Sequence, residues 1–166
     1  MSTEEWRQIP GYEGAYEVSN RGRVRSLDRI TDRGRKWRGR ILTPAIMPSG
    51  YLIVTLWRNG KQKSALVHRL VLLGFKGLPP EGTEALHADG VRANNTPENL
   101  SWGTHSDNQL DQVAHGTHSN ATKTHCSQGH PYDAANTYFY PGRNKRACRA
   151  CRNRYVATAR SKAAVA

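Results

Sequence analysis

The chain has 166 residues, of which 37% are hydrophobic, so it can support one or two small domains but not a single large core. Its formal net charge is +12. Residues 1–80 carry fifteen lysines and arginines against six acids, residues 81–125 carry two against six, and residues 126–166 carry eight against one, which gives +9, −4 and +7. Two basic arms around an acidic centre indicate a polyanionic partner such as nucleic acid, and not a merely solvated surface.

Two further features of the composition restrict the class of protein. No stretch approaches the length of a transmembrane helix, and the N-terminus MSTEEWRQ lacks the apolar core of a signal peptide, so we expect a cytoplasmic protein with no membrane partner. The three cysteines form an odd set, and all of them lie within residues 126–151. This grouping favours metal binding over a disulfide framework.

The N-terminal residues 4–27 predict short strands around turns. Residues 16–19 and 23–26 form a hairpin through Asn20-Arg21-Gly22, with Val24 on the packed face and arginines on the other. The basic residues 28–40 predict a loop that orders on DNA, with a solvated flexible loop as the alternative. The predicted DNA contacts of this arm are Arg21, Arg23, Arg25, Arg33, Arg35, Lys36, Arg38 and Arg40.

Regular elements are predicted in the middle of the chain. Residues 51–57 and 63–67 flank an Asn59-Gly60 centre, which is typical of a tight β-hairpin. The apolar residues 68–75 predict a short buried helix that ends at Gly77. A second helix is predicted to begin at residues 104–106 and to run to about residue 114, and the polar residues that follow indicate a linker.

Residues 86–108, LHADGVRANNTPENLSWGTHSDN, bring together the side chains that hydrolysis of a phosphodiester needs. His87 can act as a general base because its unperturbed pKa lies near neutrality. Asn108, at the start of the second helix, can offer its amide oxygen to Mg²⁺ or Mn²⁺, with phosphate oxygens completing the shell. Asn99 can tie the intervening loop to the backbone and so orient His87.

This stretch resembles the HNH endonucleases, specifically the phage and intron-encoded homing type. The apolar run VHRLVLLGF is similar to the helix that precedes the active site in that family, and EEWRQIPGYEGAYEVSNRGRVRSL is similar to the N-terminal module often attached to it. The resemblance covers about residues 4–115. It implies that His87 is the general base, that Asn99 is the bracing asparagine and that Asn108 is the metal-binding residue.

One position departs from the family pattern. Several relatives place a metal-binding aspartate or histidine immediately before the base, where this chain has Leu86. The candidates for a substitute ligand are Asp89, two residues after the base, and His105, one helical turn before Asn108. His68 is a third candidate, with a structural role at the helix start equally open. Asn94 and Asn95 are interpreted as turn formers.

The C-terminal arm contains a second group of metal-binding residue types. Cys126-x3-His130 and Cys148-x2-Cys151, separated by seventeen residues, give the four ligands of a structural zinc site, with free buried cysteines as the alternative. The rival ligands are His115, His118 and His125. This tail resembles the zinc-bound extensions of some phage HNH proteins, and its predicted DNA contacts are Arg143, Arg146, Arg149 and Arg152.

Together these features predict an α+β protein. Its parts are an N-terminal antiparallel β module over residues 1–50, a ββα-metal nuclease core over 51–115, a linker over 116–125 and a zinc-binding basic tail with a helix over 126–166. The expected function is metal-dependent cleavage of double-stranded DNA, by nicking or by cutting both strands. The alternatives are a DNA-binding regulator or packaging accessory with a weakened nuclease centre, and action on RNA. If the chain is phage-encoded, we expect it to act in the host cytoplasm, with other phage DNA-processing proteins as further partners.

Overall fold

The computed structural model describes residues 3–30, 34–143 and 145–163. Arg33, one of the predicted DNA contacts, lies outside the described residues. The chain divides into two compact units, Met1–His115 and Gly116–Ala166. In the described part of the chain, no helix combines the length and the apolar character that crossing a membrane requires.

A three-stranded antiparallel sheet opens the first unit. It contains β1 (Trp6–Gln8), β2 (Tyr16–Ser19) and β3 (Val24–Ser26) in that spatial order. Val18 pairs with Val24 in the predicted hairpin, and both side chains are buried. The Ser19 hydroxyl accepts hydrogen bonds from the backbone N–H groups of Arg21, at 3.2 Å, and Arg23, at 3.1 Å. The side-chain oxygen thus fixes the turn between the strands, as Ser often does in turns.

The basic segment is more ordered than a loop. Its strands β4 (Arg29–Ile30) and β5 (Lys36–Trp37) pair with each other, so the prediction of a loop over residues 28–40 is wrong for these positions. The guanidinium of Arg29 lies 5.1 Å from the ring centroid of Tyr16 and 5.4 Å from that of Trp37. The indole of Trp37 donates to the Ser26 hydroxyl at 3.4 Å. These aromatic contacts hold the segment to the N-terminal sheet without hydrophobic periodicity.

The predicted Asn-Gly hairpin is confirmed in a second antiparallel sheet. This sheet contains β6 (Ala45–Ile46), β7 (Leu52–Arg58) and β8 (Lys61–Leu66). Asn59 and Gly60, with φ of 51° and 71°, both adopt the left-handed conformation that a type I′ turn requires. The helix α1 (Val67–Lys76) follows without a loop and ends at Gly77, as predicted, where φ is 84°.

The last elements of the first unit have the predicted order of strand, loop, strand and helix. The strands β9 (Thr83–His87) and β10 (Leu100–Thr104) are antiparallel, and α2 (His105–Ala114) begins directly after β10. The hydroxyl of Thr104 accepts from the backbone N–H of Asp107, and the Asp107 carboxylate accepts from the backbone N–H of Thr104. This capping box explains why the helix starts at His105.

One hydrophobic core joins the elements of the first unit. Its buried side chains come from the N-terminal sheet, from β7, from α1 and from β10: Ile9, Tyr16, Val18, Val24, Val54, Leu56, Val67, Leu70, Val71, Leu72 and Leu100. By contrast, α2 buries none of its residues. The N-terminal sheet and α1 therefore share a core with the β9–β10 pair, while α2 remains on the surface.

The second unit is small. It contains β11 (Thr137–Phe139), β12 (Arg146–Cys148) and α3 (Arg149–Ala163), with β11 and β12 antiparallel. The guanidinium of Arg146 donates to the backbone carbonyls of Asn120, at 2.7 Å, and Lys123, at 2.6 Å. Residues that were predicted as a linker are thus bonded to β12 and grouped with this unit.

Candidate active site and metal cluster

His87 lies at the end of β9 and is held by a buried asparagine. Its side chain is 8% exposed, and its Nε2 atom lies 3.1 Å from Oδ1 of Asn95, which is 3% exposed. With the amide oxygen of Asn95 toward the ring, the imidazole hydrogen is on Nε2, because an amide oxygen only accepts hydrogen bonds. The lone pair then resides on Nδ1, which is the nitrogen that can take a proton. Asn95, interpreted from the sequence as a turn former, is therefore part of the site.

The N-terminal sheet reaches this site through Gly22. A Cβ atom placed on Gly22 would lie 3.0 Å from both the Cβ and the backbone oxygen of Asn95, and Gly22 also has a φ of 69°. Both the close approach and the left-handed backbone require glycine at this turn. The loop that holds His87 thus packs directly against the β2–β3 turn.

The rings of His68 and Tyr51 lie close to the ring of His87. The ring centroid of His68 lies 5.2 Å from that of His87, and Tyr51 lies 4.9 Å from His68 and 6.0 Å from His87. The guanidinium of Arg92 lies 5.0 Å from the Tyr51 ring. Burial lowers the pKa of His68 to about 4, with smaller contributions from the nearby His87 and Arg69. His68 is therefore a neutral packing partner of the base near pH 7.

Asn99 braces the loop between β9 and β10. Its Oδ1 accepts from the backbone N–H of Asp89 at 3.1 Å, and its Nδ2 donates to the Asp89 carboxylate at 2.9 Å and to the Asn94 carbonyl at 2.8 Å. The Asp89 carboxylate also accepts from Nδ2 of Asn94 and from the backbone N–H of Val91. These hydrogen bonds lower the pKa of Asp89 to about 2. Asp89, a predicted metal ligand, thus binds donors within its own loop.

Asn108 and His105 meet on the outer face of the hairpin, at Glu84. The Asn108 Nδ2 atom donates to Oε2 of Glu84 at 2.8 Å, and Nδ1 of His105 lies 3.0 Å from Oε1. The hydrogen bonds from Asn108 and His105 lower the pKa of Glu84. Sequence reasoning missed Glu84, although strand alternation places it on the same face of β9 as Leu86.

Leu86 has a packing role. It is 7% exposed, and a Cβ atom placed on Gly103, in the neighbouring strand, would overlap its Cδ1. The side chain thus fills the space above a glycine of β10. An aliphatic group at this position offers no metal ligand, so a divalent ion at this site has to be held by other side chains.

In the second unit the described residues contain one cluster that can hold a metal ion. The ligand atoms of Cys126, His130, Cys148 and Cys151 lie within 4.8 Å of one another. The Cys126 and Cys151 sulfurs are 3.7 Å apart, and His130 Nδ1 lies 3.5, 3.7 and 3.3 Å from the sulfurs of Cys126, Cys148 and Cys151. A zinc tetrahedron has edges of about 3.7 Å between sulfurs and about 3.5 Å between sulfur and nitrogen. The cluster fits a tetrahedral ion of that size.

Polar groups around the cluster support a thiolate at Cys148. The backbone N–H groups of Gln128 and Cys151 point at the sulfurs of Cys126 and Cys148, at 3.4 and 3.5 Å. Nδ2 of Asn136 donates to the Cys148 sulfur at 3.3 Å. The hydrogen bonds to Cys148, led by that from the Cys151 backbone, lower the pKa of the Cys148 thiol to about 6. Such outer contacts orient metal ligands in known sites.

The three rival histidines are bonded elsewhere. Nε2 of His115 lies 3.0 Å from the backbone oxygen of Ala88, beside the loop that holds His87. Nδ1 of His118 accepts from the backbone N–H of Ala121 at 3.2 Å, and Nδ1 of His125 lies 3.0 Å from the Thr124 hydroxyl. In the part of the chain that the structure describes, none of them joins the cluster.

Several of the predicted DNA-binding arginines make contacts within the protein, and some of these are also exposed. Arg23 and Arg25 form ion pairs with Glu4 and Glu17, and Arg25 also lies 4.2 Å from the Trp6 ring. Arg146 is bonded to backbone carbonyls, and Arg149 and Arg152 lie over the Tyr138 ring at 5.6 and 4.1 Å. The side chains exposed on the surface are Arg21, Arg23, Arg35, Lys36, Arg38, Arg40, Arg143, Arg149 and Arg152.

Comparison with known proteins places both parts of the first unit. Residues 4–57 match the NUMOD4 motif, and residues 65–110 match the HNH endonuclease family. The DNA endonuclease I-HmuI of Bacillus phage SP01 is 40% identical over 100 residues, which cover 60% of this chain and 52% of the relative. An uncharacterized HNH endonuclease of Acanthamoeba polyphaga mimivirus is 32% identical over 97 residues, 58% of this chain and 26% of the relative.

A solved structure shows the same fold. The structure described as DNA binding and cleavage by the HNH homing endonuclease I-HmuI superposes with a TM-score of 0.56 at 39% identity, covering 68% of this chain and 60% of that chain. The chain spans about half the length of the curated phage relative that it matches. Residues 65–110 are thus similar to the HNH endonuclease family, and residues 4–57 to the NUMOD4 motif that precedes them.

Proposed function

We propose that the protein is a metal-dependent DNA endonuclease in which His87 is the general base. The observation that carries the proposal is the buried contact of His87 with Asn95, which leaves Nδ1 as the basic nitrogen at the end of β9. A structure that superposes on 68% of this chain is described as showing DNA binding and cleavage by an HNH homing endonuclease. The alignment and the contact together support hydrolysis of a phosphodiester.

The residues of the site divide the work. His87 accepts a proton from the attacking water through Nδ1, and Asn99 holds the loop that positions it, through its hydrogen bonds with Asp89 and Asn94. Asn108 is a ligand for Mg²⁺ or Mn²⁺ on the α2 side of the hairpin. When bound, the ion stabilises negative charge on the phosphate and on the leaving oxygen.

Double-stranded DNA is the proposed substrate. The exposed basic residues of the β4–β5 hairpin and of the second unit supply cations for phosphate contacts, which dominate affinity for nucleic acid. If the chain is phage-encoded, the protein acts in the cytoplasm of the host cell. Parallel assays on duplex DNA and on RNA of the same sequence test this choice, since phosphate contacts alone do not distinguish the two polymers.

Plasmid relaxation tests the catalytic assignment. Supercoiled DNA is incubated with the full chain in Mg²⁺ or Mn²⁺ and, in parallel, in excess chelator. We expect metal-dependent nicked or linear product, and a loss of about 10²- to 10⁴-fold in rate for His87→Ala. His118→Ala, a histidine change in the second unit, is the matched control and keeps the wild-type rate. Undiminished cleavage by His87→Ala removes His87 from the mechanism.

Leu86 favours a second candidate function, that of a DNA-binding regulator or packaging accessory. This side chain offers no ligand at the position before the base, and it is buried against β10. Tight DNA binding that weakens with salt, combined with no cleavage in either metal ion, supports this candidate against the nuclease.

For the Cys/His cluster we propose a structural zinc ion. The cluster offers four ligand atoms within 4.8 Å of one another, and four protein ligands fill the shell of a structural zinc ion with no open position for chemistry. Elemental analysis of the purified chain is expected to find one zinc per molecule. A zinc-free second unit that is fully folded contradicts this assignment.

A further inference from the structure

We propose that Glu84 supplies the ligand to the catalytic divalent ion that Leu86 does not supply, together with Asn108. The proposal rests on the proposed nuclease function and concerns this chain's own substitution at residue 86. It assigns a carboxylate that lies three residues before the base, on the strand that carries the base.

The position of Glu84 follows from the register of the hairpin. In β9, Glu84 and Leu86 share one face, whereas His87 lies on the other. Glu84 pairs with Gly103, which has no side chain, one residue before the strand gives way to the helix cap at Thr104. The Glu84 carboxylate reaches the first turns of α2, where it contacts His105. There it also contacts Asn108, the proposed metal-binding residue.

The contact distance suits two ligands of one ion. Oε2 of Glu84 and the amide of Asn108 are 2.8 Å apart. Neighbouring ligands of an octahedral Mg²⁺ with bonds of 2.0–2.1 Å lie about 2.9 Å apart. The amide nitrogen and oxygen of Asn108 exchange places on a half-turn of its terminal bond, which presents the oxygen at that distance. In the structure the Asn108 NH₂ group donates a hydrogen bond to the carboxylate at the position proposed for the ion.

His105 orients this carboxylate and is not itself a ligand. Its Nδ1 lies 3.0 Å from Oε1 of Glu84, and its Nε2 lies 3.2 Å from Nε2 of Gln109. A neutral imidazole that donates through Nδ1 and accepts from the Gln109 amide satisfies both contacts. Both ring nitrogens are then in use, so His105 is a positioning residue. The Glu84 side chain is 45% exposed, and so a hydrated ion and a DNA phosphate can reach it.

Binding of Mn²⁺ alone to the full, zinc-loaded chain tests the proposal. The free Mn²⁺ is measured by its electron paramagnetic resonance signal, without DNA and without turnover. We expect Glu84→Gln, which keeps the size of the side chain but removes its charge, to weaken Mn²⁺ binding by at least about 10-fold. Glu81→Gln makes the same charge change on an exposed residue before β9, and it keeps the wild-type affinity. Equal Mn²⁺ affinity of the wild type and Glu84→Gln overturns the proposal.

A double variant separates a shared ion from general electrostatics. If Glu84 and Asn108 hold one ion, the loss in Glu84→Gln combined with Asn108→Ala is smaller than the product of the two single losses. Independent effects that multiply overturn the shared site. The amide and alanine variants are compared with the wild type by circular dichroism, and where Glu84→Gln fails to fold, Glu84→Ala and Asn108→Ala provide the same comparison.

The outcomes distinguish this proposal from the proposed function. If the wild type does not cut DNA but Glu84→Gln weakens its Mn²⁺ binding, the proposed metal site stands and the proposed nuclease function fails. A Glu84→Gln chain that binds Mn²⁺ and cuts DNA as the wild type does, while His87→Ala is inactive, keeps the nuclease but excludes Glu84 as a ligand.

Discussion

The contact with Asn95 favours the tautomer of His87 that carries its hydrogen on Nε2. The buried Oδ1 of Asn95 accepts from Nε2, so the basic lone pair lies on Nδ1 whenever the ring is neutral. A histidine without this partner exchanges its two tautomers freely, and only one of the two has its lone pair on Nδ1. The selectivity of the site for one tautomer therefore depends on a residue whose side chain does not need to touch the substrate.

Asn95→Ala is expected to lower the cleavage rate by about 10- to 100-fold, less than the loss of the base itself. The expected effect is on kcat more than on KM, because Asn95 orients the base and does not face DNA. Single-turnover cleavage of a labelled duplex measures it. Asn120→Ala, a change of the same type in the second unit, serves as the control. A wild-type kcat in Asn95→Ala means that the tautomer is fixed by another group.

His68 makes the stability of the first unit depend on pH. The pKa of His68 falls from an ordinary value of 6.5 to about 4 in the folded chain, chiefly because the ring is buried. The unfolded chain therefore binds one more proton between these two values. The contribution of neutral His68 to stability is fully present above pH 6.5 and is lost as the pH falls toward 4, by about 1.4 kcal/mol for each pH unit in that window.

Urea unfolding at pH 7, 6 and 5 measures this dependence. The variant His68→Phe keeps an aromatic ring beside Tyr51 but cannot take up a proton. We expect its free energy of unfolding to fall less steeply between pH 6.5 and 4 than that of the wild type. Parallel curves for the two proteins contradict a depressed pKa at His68.

At the scale of elements, β9 carries the proposed base, His87, at its end, and α2 carries the proposed metal ligand, Asn108. His87 faces the Asn95 loop, and Glu84 faces α2. The β9–β10 pair has little margin for extra volume, because Gly103 faces the buried Leu86 without a side chain of its own. The packing of this hairpin and the geometry of the site thus both depend on Gly103 and Leu86.

Gly103→Ala is expected to destabilise the first unit by about 1–3 kcal/mol, because the added methyl overlaps Cδ1 of Leu86. Chemical denaturation measures the change. Ser101→Ala, on an exposed position of the same strand, has little effect by comparison. Adding Leu86→Ala to Gly103→Ala makes room for the methyl, so the double variant is more stable than the sum of the two single effects predicts. Strict additivity contradicts the overlap.

Sequence reasoning succeeded where the determinants are local. The Asn59-Gly60 turn and the helix start at Thr104 depend on neighbouring residues, and both are confirmed. The four-residue metal cluster was also predicted, because its ligand spacing is specific. The HNH stretch was recognised by its spacing, and the family comparison confirms it.

The remaining contacts depend on distant parts of the chain. The burial of Asn95 follows from its approach to Gly22, which is more than seventy positions earlier in the sequence. Glu84 reaches Asn108 only because β9 and β10 pair in a particular register. The ordered structure of the β4–β5 hairpin similarly depends on the hydrogen bond from Trp37 to Ser26. Side chains such as Asn and Glu are ordinary surface residues until tertiary packing gives them partners.

At the scale of the whole molecule, the two units are stabilised in different ways. The first unit has one core that includes buried residues from Ile9 to Leu100. Among the described residues after position 115, Cys148 is the one hydrophobic side chain that is buried. A unit with so small a core requires another source of folding free energy, and bound metal can provide it.

Removal of the metal is therefore expected to unfold the second unit and to leave the first folded. The ¹H–¹⁵N correlation spectrum of the full chain, recorded before and after treatment with a zinc chelator, measures this. Signals of residues from 116 onward collapse to unfolded positions, whereas those of the first unit stay in place. Added zinc restores them. A spectrum that does not change on removal of the zinc contradicts a structural ion.

The contact between Gly22 and Asn95 also bears on how such proteins are inherited. The matched motif and the matched endonuclease region occupy separate segments of the gene, so recombination can exchange one for another. Here a turn of one segment touches the residue that orients the base in the other, at a position that only glycine fits. A recombinant that brings in a foreign first segment keeps its activity only if that segment carries glycine at this turn. Selection then acts on the two segments as a matched pair.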